Sequence, residues 1–189
     1  MAMPRPSTAV WTLEKLHDLP DDGNKYEVVH GELFVTPAPT YDHQAAIGEL
    51  VRLLDPFVRE NALGHLTSSP ADIRFSPKRL VQPDLFVVPL VNGRRPRTWK
   101  DVHSLVLVIE ILSSSTAFAD RNRKRRIYMD APVDEYWIVD LDARVVERWM
   151  KGIDRAEVVA DSLTWHPMQA PSALHIDLIA YFRDVLGPR

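Results

Sequence analysis

Leu105-Val106-Leu107-Val108-Ile109-Glu110-Ile111-Leu112 and the earlier Gln82-Pro83-Asp84-Leu85-Phe86-Val87-Val88 are the two most apolar strand-like runs of the chain. Each is short and bounded by turn-forming residues, the pattern of a strand covered on both faces. Each also carries one carboxylate. Stripping water from an ionised carboxylate costs several kcal/mol, on the order of the penalty for any buried ion, so both acids call for a cation. Within the chain the best candidate is Lys124, on the helical stretch after Glu110. Outside it, the best candidate is a divalent metal ion.

Working outward, Lys124 lies in Arg121-Asn122-Arg123-Lys124-Arg125-Arg126, five cations in six positions, within a helix predicted from Ala117 to Asp130 and stopped by Ala131-Pro132. At three-and-four spacing Lys124 shares a stripe with Ala117, Asp120, Ile127, Tyr128 and Ala131, the apolar side that faces a sheet. Asp120, one turn earlier, is placed to pair with it. Arg121, Arg123, Arg125 and Arg126 fan out elsewhere and read as a solvated face, with phosphate binding as the alternative reading. Strand alternation puts Glu110 with Val106, Val108 and Leu112, and Asp84 with Phe86 and Val88. Neighbouring strands in suitable register then point both acids at this helix.

The remaining pattern is a mixed α/β one. Thr12 can cap a short helix over Leu13 to Leu19, and Tyr26 to Val35 reads as a hairpin turning near Gly31. A helix is expected from about Asp42 to Glu60, kinked or restarted at Pro56 behind an Asp55 cap. Strands follow at Ala71–Phe75, Asp84–Val88 and Leu105–Leu112, with a Pro- and Arg-rich loop from Pro89 to Lys100. After the basic helix come a strand at Glu135–Asp140 and an antiparallel edge strand at Arg144–Met150. The chain ends with a loop-rich β extension over 151–175 and a helix over Asp177–Leu186 with Ile179, Phe182, Val185 and Leu186 on its apolar side.

Composition narrows the classes. At 189 residues and 46% hydrophobic content the chain suits a single domain over 11–189 behind a loose arm, 1–10. The absence of cysteine excludes disulfides, thiolate nucleophiles and cysteine-bound zinc, and fits a reducing compartment. The amino-terminal residues lack the apolar core of a signal peptide, and no apolar stretch approaches the length that spans a bilayer. A cytoplasmic protein with no membrane partner is the expectation. Two acids and a lysine converging on one sheet face suit metal-assisted hydrolysis of a phosphodiester. The carboxylates hold Mg²⁺, and the lysine orients the attacking water or neutralises developing charge.

Several segments, taken in order, resemble the Uma-type restriction-endonuclease family, a branch of the PD-(D/E)XK nuclease superfamily. They are Tyr26-Glu27-Val28-Val29-His30-Gly31-Glu32-Leu33, Pro37-Ala38-Pro39 followed by His43, Gln82-Pro83-Asp84-Leu85, Val108 to Ser113, the Asp120 to Lys124 helix start, and Glu135 to Asp140. The resemblance implies a restriction-endonuclease-like core, a central mixed β-sheet flanked by helices. It implies DNA as substrate and Mg²⁺, replaceable by Mn²⁺, as cofactor. Asp84 and Glu110 become the metal-binding acids, Ile111 a carbonyl donor and Lys124 the catalytic lysine. The superfamily pattern sets its lysine two residues after the second acid, where this chain has Leu112, so the resemblance implies a lysine moved to the following helix. Ser114 also stands where relatives often carry proline.

Two further residues are candidates beside the acids. His43 lies on the apolar stripe of its helix and Glu32 follows a turn glycine; each reads equally as a supporting contact or as an ordinary packing or surface group. Two other functional readings stand beside the nuclease: an inactive nucleic-acid-binding module, and a structural protein with a buried Asp/Glu/Lys ion cluster. A homodimer is expected by analogy with enzymes that cut both strands of a duplex.

Overall fold

The computed structural model describes residues 11–12, 15, 18–20, 24–29, 32–36, 38–76, 79–112 and 119–188. The expected arm 1–10, most of the expected Leu13–Leu19 helix, Gly31, and the Ser113 and Ser114 segment lie outside the described residues. In chain order the elements are β1 (Lys25–Val29), β2 (Glu32–Thr36), α1 (Tyr41–Glu60), β3 (His65–Ser68), β4 (Ile73–Ser76), β5 (Arg79–Val81), β6 (Leu85–Val88) and β7 (Leu105–Ile111). A π-helical stretch, Ala119–Lys124, leads into α2 (Arg125–Asp130); then follow β8 (Val133–Asp140), β9 (Val145–Met150), β10 (Glu157–Val159), β11 (Ser162–Trp165), β12 (Leu174–Asp177) and α3 (Leu178–Leu186).

The central sheet has the order β10-β9-β8-β7-β6-β3 and is mixed. β7 and β8 run parallel, joined through α2, whereas β6 meets β7 and β9 meets β8 antiparallel. Every residue of β6 and β7 is buried, as their unbroken apolar sequence predicts. One core lies between the sheet, α1 and α3, with Leu54, Trp137 and Phe182 among its members. The other lies on the α2 side and contains Phe86, Val88, Val108, Ile127 and Tyr128. A second sheet of order β2-β1-β5-β4 sends Ile73 and Val81 into that core, and β11 pairs with β12 as a small separate ribbon.

Several expectations are corrected. The α1 helix passes through Pro56 without restarting. Pro56 is exposed, and the buried stripe Leu50, Leu54, Phe57 and Val58 outweighs the roughly 3 kcal/mol that an internal proline costs. Asp55 pairs with Arg59 at 2.6 Å instead of capping, and the cap is Thr40, which accepts from the His43 amide. β9 is not an edge strand, because β10 covers it. Ile179 is 62% exposed, while Phe182 and Val185 are buried. Val106 joins the core opposite Val108.

Gly64 shows how closely α1 and the sheet are joined. Its φ is +148° and a Cβ there would stand 2.0 Å from the Val88 carbonyl oxygen, a contact only glycine permits. Gly64→Ala is expected to lower stability by about 3 kcal/mol and the thermal midpoint by roughly 6–12 °C. An unchanged melting curve would show that the β3–β6 edge yields freely.

Candidate active site

Asp84 falls just ahead of β6 instead of inside it, and the backbone around it is tied down. Ser69 donates its amide to the Asp84 carbonyl at 3.1 Å and its hydroxyl to the Pro83 carbonyl at 2.9 Å. The Asp84 carboxylate accepts from the Ile111 amide at 2.9 Å. Because Leu85 pairs with Ile109, this hydrogen bond sets Asp84 beside Glu110 across the β6–β7 pair. His43 Nε2, from the first turn of α1, stands 3.5 Å from the same Asp84 oxygen.

Glu110 is 2% exposed. Its Oε1 accepts from Lys124 Nζ at 3.1 Å and from the Tyr128 hydroxyl at 2.8 Å. The two donors are four residues apart, one turn along the same helical face. Burial, then the nearby Glu110 and Glu27 charges, hold the Tyr128 phenol well above its ordinary range, so it remains a donor. Lys124 is 4% exposed, as its place on the apolar stripe predicts.

The residue that sequence reading missed is Glu27. It is 1% exposed, projects from β1, and lies 2.9 Å from Lys124 Nζ as an ion pair. Its other oxygen accepts the Gln82 amide at 2.7 Å, two residues before Asp84. The signal was weak, because Glu27 sits in an alternating hairpin whose polar residues read as solvent-facing. The β1–β5 pairing and the packing of this second sheet over the first bury it.

Five charged side chains of the described residues are buried: Glu27, Asp84, Glu110, Lys124 and Glu135. Glu135 is served elsewhere by Arg148 and by the Trp137 indole at 2.6 Å. The other four form one neighbourhood, with His43 at its rim. All its acidic donors are oxygens, the set that hard divalent cations select. Among the described residues no three His, Asp or Glu side chains converge into a complete metal cage, so a bound cation would also draw on backbone, water or substrate oxygens.

Other candidates lie apart from this group. Glu32 is exposed and pairs with Arg123 at 2.5 Å. Arg121 is held by Asp140 at 2.7 Å and Glu147 at 2.6 Å. Arg125 is half-buried and stacks over Trp149, 4.6 Å from the ring centroid. These three arginines are thus engaged with the protein, not simply solvated. The Asp120 side chain lies outside the described residues.

Lys124→Met keeps an apolar stem but leaves Glu27 and Glu110 without their shared cation. It is expected to lower stability by about 3–5 kcal/mol in denaturant unfolding at neutral pH; wild-type stability would detach the bridge from the fold's support. At Asp140, burial pushes the carboxyl up, but hydrogen bonds from the Ala143 amide and Arg121 outweigh it and hold the group below its usual value. A depressed carboxyl contributes stability above its unfolded value, near 3.9, that is lost as pH falls through the folded one. The destabilisation caused by Arg121→Ala should therefore be full at pH 7 and shrink below about pH 4, read by thermal unfolding across pH; a pH-independent loss would count against this pairing.

The sequence matches one family, described as "Putative restriction endonuclease", over residues 13–178. No curated protein matches the chain. Among solved structures, a "putative nuclease belonging to DUF820" from Anabaena variabilis superimposes with a TM-score of 0.74 at 22% identity, covering 93% of this chain and 99% of its own. That likeness establishes a shared fold, the mixed α/β core expected from the sequence. No helix of the described residues is long and apolar enough to cross a membrane. With its match running from the amino-terminal region to the start of α3, the chain belongs to the Uma2 family of restriction-endonuclease-like proteins.

Proposed function

We propose that this protein is a divalent-metal-dependent endonuclease that hydrolyses phosphodiester bonds in DNA. The observation that carries the proposal is the buried pair of acids set side by side across β6 and β7, Asp84 on the Ile111 amide and Glu110 on the Lys124 ammonium that Glu27 also holds. Neighbouring carboxylate oxygens in a buried site, beside a backbone carbonyl, are the donor set that hard divalent cations select. Asp84 and Glu110 with the Ile111 carbonyl are the proposed ligands, and Mg²⁺ or Mn²⁺ held there supplies Lewis-acid polarisation of the phosphate and acidification of water.

The protein's own groups have separate tasks. Glu27 and Glu110 fix the Lys124 ammonium from two sides, so its charge is oriented before substrate arrives and meets developing negative charge without reorganisation. Tyr128 fixes the Glu110 oxygen that faces Lys124. His43 steadies the Asp84 carboxylate from α1. Cutting both strands of a duplex calls for two such sites, which a homodimer supplies.

Purified protein incubated with supercoiled and single-stranded DNA in Mg²⁺ or Mn²⁺ should cleave it, and Asp84→Asn or Glu110→Gln should lower the rate at least about a hundredfold. Cleavage that survives both substitutions would overturn the site assignment. The bridging of two glutamates by Lys124 also favours a second reading, a purely structural ion cluster. Thermal unfolding separates the two. The nuclease reading expects Mg²⁺ to raise the wild-type melting temperature by mass action and to leave Asp84→Asn unmoved, whereas a structural cluster expects no Mg²⁺ effect on either protein.

A further inference from the structure

The segment between β6 and β7 carries a second group of cations, separate in sequence from the basic helix. Arg94, Arg95, Arg97 and Lys100 are exposed and, unlike Arg121, Arg123 and Arg148, have no ion-pair partner among the described residues. Asp101, the neighbouring carboxylate, is already engaged, accepting from the Thr98 amide at 2.9 Å and its hydroxyl at 3.1 Å. The arginines are therefore not neutralised locally.

This loop is also preorganised. Val91 and Arg94 exchange backbone hydrogen bonds at 2.8 and 3.1 Å around Asn92 and Gly93, whose φ values of 52° and 71° are those of a tight two-residue hairpin turn. Trp99 opens a capped 3₁₀ turn and leans on Phe86, ring centroids 6.0 Å apart, while 44% of its surface stays exposed. Arg95, Arg97 and Trp99 line a groove of about 470 Å³ whose other wall is Thr67 and His65 of β3 with Val88 of β6. β3 is the terminal strand of the central sheet. Val88 and Asp84 bracket β6, roughly 13 Å apart at about 3.3 Å per residue, a gap that a few nucleotides of extended strand span.

We propose that this groove holds a single strand of DNA flanking the cleavage site, with Arg95 and Arg97 on consecutive phosphates and Trp99 stacked on a base. The choice of ligand rests on the nuclease reading. Unneutralised arginines supply sequence-independent attraction to phosphates. A tethered, half-exposed indole supplies a stacking platform that an unstacked base can reach and a paired one cannot. An acidic peptide would satisfy the arginines but leave the indole face without a planar partner.

The test is fluorescence anisotropy of a labelled oligothymidylate in EDTA, with wild-type protein, Arg95→Ala/Arg97→Ala, Trp99→Ala and Trp99→Phe. The altered side chains are exposed, and circular dichroism melts check that each variant folds. Expected are a Kd at least about tenfold weaker for the double variant, with a salt slope shallower by roughly 1.4; a roughly five- to hundredfold loss for Trp99→Ala; and substantial recovery with Trp99→Phe. Wild-type affinity in both alanine variants overturns the proposal, as does displacement of the oligonucleotide by polyglutamate at equal charge. Binding is read without metal, so a protein that binds but never cleaves refutes the nuclease reading alone. Normal Mg²⁺-dependent cleavage with unaltered binding in the variants refutes the groove alone.

Discussion

The shared ammonium of Lys124 is the interaction on which the arrangement depends. It ties together three parts of the chain: β1 of the second sheet through Glu27, the innermost stretch of the central sheet through Glu110, and the crossover helix that carries the lysine itself. Hydrophobic burial brings these layers together without direction. A charge between two carboxylates is directional, and its removal strands two buried anions. The same contact that orients the layers thus sets the electrostatic character of the site.

The fold was legible wherever periodicity was strong. The buried runs at β6 and β7 and the helices α1 and α3 follow from alternation and helical stripes. Among the features that escaped are β3 and β5; the passage of α1 through Pro56 without a restart; the covering of β9 by β10; and the assembly of β1, β2, β4 and β5 into a sheet of their own. Except for Pro56, these are matters of pairing between distant segments, where local pattern carries little information. At Pro56 a local rule was outweighed by tertiary packing.

The site divides the same way. Asp84, Glu110 and Lys124 stood out because a charge in an apolar run or stripe is an anomaly of the sequence itself, and the structure places all three in one buried neighbourhood. Glu27 was no anomaly in its own strand, since alternation permits a glutamate there, and only the long-range β1–β5 pairing makes it costly. Arg121 and Arg123 were equally opaque, because their acidic partners, Asp140, Glu147 and Glu32, lie on elements that sequence does not place beside them.

Glu27 precedes both of its electrostatic neighbours, Lys124 and Glu110, by a long stretch of chain. As the polypeptide leaves the ribosome, the β1–β2 hairpin emerges long before Lys124, the ammonium that receives its glutamate. Docked early, it would carry an uncompensated anion into an apolar layer. The hairpin therefore has an electrostatic reason to stay solvated until the β7–α2–β8 unit has formed, so that its docking is tied to a segment made much later.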